Sequence, residues 1–380
     1  MSRLLADTLA TLTIQMYRGL PKSLQTESHR LGLRNIAILA GASLAPSTRR
    51  KYELAWTRFK AWLPSDVHCF HCTGVVLSLY LSELFLDCQE RQIGSGALDL
   101  ACAAIAFHYQ LAGVEAPLGF PNIKLLRRAA DKILTSTRSL CGVLSNEAAA
   151  SMLTFHLLGA TPPSLRVRMH LTVFLLMYVG LLRYADAAQL LVHSDLMQFI
   201  TRSSTDHTLD GVLLFLPKSK TDVKWEGAWV AIGATGTALC PVRLLYTLLD
   251  VGGYDVLPRP GIDNGPLLRA VVLDLRSPHS HRLAKITTPL TQTVIPPLSY
   301  TTLRQSLLLL SAEAGLDTHF GLHTGRVGYA NTAATNRIPV QLVCHLGRWK
   351  IGNTFDDTYT RMLEDNSRKF FALTRTLWRY

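Results

Sequence analysis

Apolar positions in residues 47–63 recur at helical spacing. Tyr52, Trp56, Phe59 and Leu63 follow one another at steps of four, three and four, an aromatic stripe that one helix face would bury. Ser47-Thr48 stands ahead of the stripe as a candidate cap. Similar patterns cover residues 73–90, 95–112 and 121–138, and residues 1–41 precede them as a mobile or partly helical arm. After a linker at residues 135–146, the run RMHLTVFLLMYVG is apolar on every face, which predicts a buried helix ending near Gly180. Residues 196–201, 211–216 and 225–232 read as strands, and a helix over residues 238–250 opens on Pro241. Residues 255–298, rich in Pro, Gly, Ser and Thr, read as a surface insertion. A helix from Ser299 or Thr301 closes at Gly315, another run starts at His323, and a tail over residues 366–380 puts Phe370, Leu373 and Leu377 on one face. The expected fold is mainly α with a small antiparallel β-sheet, in a helical domain over residues 42–140 and a mixed domain over residues 145–380.

Composition narrows the partners. Net charge is +12 and the isoelectric point about 9.5, with the surplus spread over both halves, so a polyanion is favoured. Arg49, Arg50, Lys51 and Arg58 lie largely off the aromatic stripe, and Lys124, Arg127 and Arg128 sit on the 121–138 pattern, so these seven are candidate DNA contacts. Seven cysteines at irregular spacings and no apparent secretory signal suggest free thiols in a reducing compartment. The apolar run 171–182 is too short to span a bilayer, and no membrane is expected. His68-Cys69-Phe70-His71-Cys72 crowds its ligands and lacks a second pair at finger spacing, so no metal is assigned.

The candidate chemistry is concentrated near the C-terminal end. His323 and Arg326 are three residues apart at the start of a helical run, where imidazole and guanidinium can reach one anion together. Gly347-Arg348-Trp349 and then Tyr359 follow. A guanidinium binds phosphate oxygens as a fork, and a phenol can act as a covalent nucleophile. Upstream, Arg183 follows the apolar helix, with Asp186 three residues on, and Lys218 and Lys220 lie in the basic turn PKSKTDVK between two strands. Taken singly, Arg183–Asp186 reads as a local salt bridge, the turn as solvated and Trp349 as core.

In this order the boxes resemble those of the tyrosine recombinases (the phage-integrase superfamily), over residues 45–361. The wording GRWK resembles the recombinases of DIRS-like retroelements and Cryptons. The resemblance implies a helical, SAM-like core-binding domain followed by a catalytic domain. It implies Tyr359 as nucleophile forming a 3′-phosphotyrosyl link, with Arg183 and Arg326 on the non-bridging oxygens. His323 and Trp349 would be further donors, Lys220 (or, as runner-up, Lys218) the general acid to the 5′-oxygen, and Asp186 the support of Arg183. Arg348 stands where the family has histidine or tryptophan, so the indole role falls to Trp349, and Arg348, like Lys218, is assigned to DNA. The partner would be double-stranded DNA in the nucleus, held by a homo-tetramer on two sites, with no cofactor. The tail would pack on a neighbouring protomer, with docking in cis as the alternative. The Gly347–Tyr359 connection is a residue or two longer than the family's, with Asp356 and Asp357 beside the tyrosine. A non-catalytic DNA-binding descendant therefore stays open, as does a type IB topoisomerase, which shares the chemistry although the integrase-like first domain argues against it.

Overall fold

The starts of several helices are set by a few local residues. In this computed structural model, residues 17, 20–134, 144–202, 208–218, 226–254, 265–273, 281–284, 297–316, 321–349 and 362–380 are described. The chain divides into two compact units, Met1–Arg138 and Ser139–Tyr380. The first holds α1 (Glu27–Ala42), α2 (Pro46–Trp62), α3 (Gly74–Glu90), α4 (Gly96–Leu111) and α5 (Pro121–Ile133). The cap expected at Ser47-Thr48 is displaced: Ala45 is the N-cap and Pro46 the first helical residue. Proline has no N–H to leave unsatisfied there and its φ is already helical. At α3 the Thr73 hydroxyl accepts from the Val76 N–H.

Trp56 and Phe59 of the predicted stripe are fully buried, together with Phe70, Leu77, Leu81, Ile105 and Tyr109. Tyr52 and Leu63 are half-buried at its ends. The Trp56 indole stacks on the His108 ring, 4.6 Å between centroids and 12° from parallel. On the outside of α5, Lys124 and Arg128 are exposed, whereas Arg127 pairs with Asp99 at 2.8 Å. Arg50, Lys51 and Arg58 are likewise exposed on α2, while Arg49 lies 3.9 Å from Glu53.

The second unit is built on α7 (Leu165–Val179), buried along nearly its whole length. Around it lie α6 (Asn146–Leu157), the short α8 (Tyr184–Ala187), α9 (Pro241–Val251), α10 (Tyr300–Glu313), α11 (Thr324–Thr335), α12 (Val340–Gly347) and α13 (Met362–Leu377). Strands β1 (Met197–Thr201), β2 (Leu209–Leu216) and β3 (Ala228–Gly233) form an antiparallel sheet in the order β1-β2-β3. The segment expected as a surface insertion contains a second antiparallel pair, β4 (Val271–Leu273) and β5 (His281–Leu283). It also sends Leu267, Leu268 and Leu283 into the core. Burial of these three leucines overrides the turn-rich composition around them. Among the described residues no helix is long and apolar enough to cross a membrane.

The tail does not wait for a neighbour. Helix α13 packs on β3 of its own chain, burying Phe370, Phe371, Leu373, Leu377 and Trp378. The reason lies in the sheet. Gly211 and Gly233 are direct cross-strand partners, and together they leave a slot for Phe371. A Cβ on Gly211 would sit 2.3 Å from that ring, and one on Gly233 2.2 Å from the Phe371 carbonyl oxygen. Arg375 donates to the Asp210 carboxylate, to the Asp210 carbonyl at 2.9 Å and to the Ala234 carbonyl at 2.8 Å. The Gly233 N–H donates to the Thr374 hydroxyl at 3.1 Å, and the Trp378 indole N–H to the Leu239 carbonyl at 2.9 Å. Of the two dockings the sequence leaves open, trans and cis, the described residues form the cis one.

Two measurements check this packing. Gly233→Ala should lower the unfolding free energy by about 1–3 kcal/mol, the range for overfilling a packed site. Urea titration followed by tryptophan fluorescence reads it through Trp378, and an unchanged midpoint would contradict the slot. The second concerns pH. Burial holds His108, and also His170, whose Nδ1 lies 2.7 Å from the Ser306 hydroxyl, at a pKa of about 4. An unfolded histidine titrates near 6.5, so the unfolded chain binds more protons between these values. Stability should be complete above pH 6.5 and fall as pH drops from 6.5 towards 4, by up to roughly 3 kcal/mol per histidine. His108→Gln should flatten the part of that fall that belongs to the first unit in urea titrations at pH 7.5 and 5.

Candidate active site

The C-terminal end of α7 supplies the first part of the site. Gly180 caps the helix, and Leu181 then takes a left-handed conformation, φ 50°, rare for a residue with a Cβ. That turn aims the Leu181 carbonyl at the residues of α11 and α12 described below. Arg183 caps α8, and its N–H donates to the Asp186 carboxylate at 2.8 Å. Asp186 is 1% exposed. It supports Arg183 through the backbone, and no side-chain bond between the two is seen among the described residues.

Helix α11 brings the second part. His323 is its N-cap, and Arg326 lies one turn in. Two glycines let this helix approach closely: a Cβ on Gly328 would stand 1.9 Å from the Leu144 carbonyl oxygen, and one on Gly325 3.0 Å from the Tyr178 ring. Arg326 is carried inside as a result, to 1% exposure. One of its terminal nitrogens donates to the Leu181 carbonyl at 2.7 Å, and the other to the Gly347 carbonyl at the end of α12.

Helix α12 brings the third. Its C-cap, Arg348, is left-handed at φ 52°, ψ 45°, and the Trp349 N–H returns to the Cys344 carbonyl at 2.9 Å. This reversal turns the Arg348 side chain inward, where Nη2 donates to Asp186 Oδ2 at 2.9 Å. Trp349 lies with its ring over the Arg326 guanidinium, 4.7 Å from Cζ to centroid. Arg348, assigned from sequence to DNA at large, is thus an inward residue whose side chain is 11% exposed.

Among the described residues, three mutually interacting guanidinium groups thus gather near one carboxylate, to which Arg348 alone is bonded by its side chain. The excess charge shows in the titration of the groups themselves. Burial, then repulsion by Arg183 and Arg348, brings Arg326 down to about 10, low for arginine yet still cationic at pH 7. Burial also lowers Arg348, with Asp186 pulling the other way and Arg183 adding to the fall. His323 is lowered by burial and then by Arg326 and Arg183, which favours the neutral imidazole at pH 7. Arg183 Nη1, Arg326 Nε, and Arg348 Nε and Nη1 are buried without a hydrogen-bond partner among the described residues. Buried donors left unpaired are costly, and four on three cations describe a cradle for an anion.

The fold thus brings together Arg183, Asp186, His323, Arg326, Arg348 and Trp349. Lys218 lies half-buried beyond the end of β2, and Lys220 and Tyr359 fall outside the described residues. Sequence reasoning missed the Leu181 carbonyl, which only the left-handed turn reveals, and the pairing of Arg348 with Asp186. The one available signal for the latter was an arginine directly after the glycine that ends α12.

No protein-family model matches the chain, and no curated protein does. Among solved structures, the chain is similar to a lambda integrase dimer bound to a COC′ core site, with a TM-score of 0.47 and 15% identity. That match covers 86% of this chain and 94% of the other. It is also similar to XerA recombinase, with a TM-score of 0.34 and 14% identity over 94% of this chain and 98% of the other. Both are tyrosine recombinases.

The buried pair offers a direct check on the site. Asp186→Ala would strand the Arg348 charge and free the Arg183 N–H. Loss of one partner of a buried pair costs about 3–5 kcal/mol, so the unfolding midpoint in guanidinium chloride should drop by that equivalent. A loss below 1 kcal/mol would mean that solvent already serves Arg348.

Proposed function

We propose that the chain breaks and rejoins double-stranded DNA as a tyrosine recombinase. The observation that carries this reading is the convergence of Arg183, Arg326 and neutral His323 with four buried guanidinium nitrogens that have no partner among the described residues. Such a set suits a phosphodiester whose negative charge grows on the way to pentacoordinate phosphorus. Tyr359 would attack phosphorus, forming the phosphotyrosyl bond as the bond to the 5′-oxygen breaks, and Lys220 would deliver a proton to that oxygen. Arg183 and Arg326 would hold the non-bridging oxygens, and His323 would donate to them or receive the phenol proton. The phosphotyrosine keeps the energy of the broken bond, so rejoining by another strand's 5′-hydroxyl requires no ATP. The exposed Arg50, Lys51, Arg58, Lys124 and Arg128 of the first unit fit contacts to the phosphate backbone. The biological setting we propose is nuclear recombination of a mobile element of DIRS-like or Crypton type, by a tetramer on two duplexes.

Nicked duplexes drawn from the DNA flanking the gene test the chemistry. The wild-type chain should form a covalent adduct that persists in EDTA, and Tyr359→Phe should form none; an adduct with Tyr359→Phe would refute the assignment. With the cleaved position mapped, Lys220→Ala should be slower by roughly 10²–10⁴-fold on ordinary DNA. It should be near wild type when sulfur replaces the bridging 5′-oxygen, because a thiolate leaves without a proton. Rescue of Lys218→Ala instead would move the acid by two residues.

A further inference from the structure

Resting on the phosphodiester site proposed above, we infer that Arg348, and not Trp349, supplies the third set of phosphate donors, while Trp349 is a positioning residue for Arg326. Arg348 sits in a left-handed conformation that a side chain adopts only at a cost. The turn delivers its guanidinium to Asp186, the one carboxylate of the site among the described residues. A purely structural arginine would be expected to use its fork, two parallel N–H groups on two carboxylate oxygens. Here the contact runs from Nη2 to Oδ2 at 2.9 Å, and that same oxygen also accepts the Arg183 N–H. Nε and Nη1 remain, both buried and without a partner among the described residues. Asp186 therefore orients Arg348 without using up its donors.

Trp349 is placed differently. Its ring face lies 4.7 Å from the Arg326 guanidinium carbon, an arrangement in which the π cloud, rather than the indole N–H, makes the contact. Gly347 lies against the ring, where a Cβ would come within 2.9 Å. The indole thus closes one face of Arg326 and fixes the plane in which its free Nε lies.

Charge supports the same division. Among the described residues, three guanidiniums against Asp186 leave the cradle at a net +2 with His323 neutral. A phosphodiester carries one negative charge and the pentacoordinate state two, so the third guanidinium matches the charge that develops during reaction.

Orthovanadate, an oxyanion that takes up trigonal-bipyramidal geometry, is the probe. Titrated calorimetrically into the full chain at pH 7.5, it should bind the wild type, and Arg348→Gln should weaken binding by about 10- to 100-fold. Trp349→Phe keeps a ring over Arg326 and removes the indole N–H, so its loss should be the smaller. Because Arg348→Gln leaves Asp186 buried without a cation, the double variant Asp186→Asn/Arg348→Gln provides a second measurement. It should bind as weakly as the single variant while retaining the wild-type circular dichroism. Wild-type-like binding by either Arg348 variant, a larger loss for Trp349→Phe, or no binding by the wild type would each overturn the assignment. The covalent-adduct assay remains separate: absence of an adduct refutes the phosphotyrosine chemistry, whereas the vanadate ranking decides Arg348.

Discussion

A guanidinium removed from water needs oxygen atoms to replace its hydration, and Arg326, 1% exposed, finds them on two different stretches of backbone. The Leu181 carbonyl comes from the turn after α7 and the Gly347 carbonyl from the end of α12. An uncompensated charge at that depth would cost several kcal/mol, so the burial of Arg326 depends on both turns. That single requirement explains the left-handed Leu181, whose strain is offset by a carbonyl pointing where the cation lies. It also explains the two glycines of α11, without which the helix could not come close enough to α7.

The other end of the second unit is tied down by a separate device. Phe371 enters the slot between Gly211 and Gly233, and Asn146 joins α13 to the rest. The Asn146 amide donates to the Leu377 carbonyl at 2.7 Å, while its oxygen accepts from the Tyr178 hydroxyl at 2.8 Å and the Thr332 hydroxyl at 3.2 Å. One buried side chain thus links the tail to α7 and to the helix that carries Arg326. The segment holding Tyr359 is flanked on one side by the end of α12, anchored through Arg326 and Arg348, and on the other by α13, anchored on the sheet. Both anchors fix the ends between which a nucleophile would have to be presented.

Much of this was legible beforehand, for identifiable reasons. The Trp56–Phe59 stripe, the all-round apolar α7 and the three strands are periodic signals read from neighbours in the chain, and the described structure forms them. The convergence of His323 and Arg326 is a property of one helix turn, and Arg183 after an apolar helix is a property of one box. The start of α2 was misplaced by a local competition, in which Pro46 outranked the hydroxyls behind it. The turn-rich stretch hid Leu267, Leu268 and Leu283 because composition reports how a chain bends, not whether its few leucines find a core.

By itself the sequence determined most of the helices, the three-stranded sheet and which chemical groups are present: arginines, an imidazole, an indole and a phenol. These follow from interactions within a few residues and from side-chain chemistry that does not depend on the fold. Only the tertiary structure decided who meets whom. Asp186 and Arg348 are 162 residues apart, and the Gly211 and Phe371 that share a slot are almost as distant. Such pairings depend on how closely helices and strands pack, a matter of glycines, strained turns and carbonyl directions that no spacing along the chain records. For that reason Arg348, read from the sequence as one more surface cation, turned out to be buried against the site's only carboxylate among the described residues.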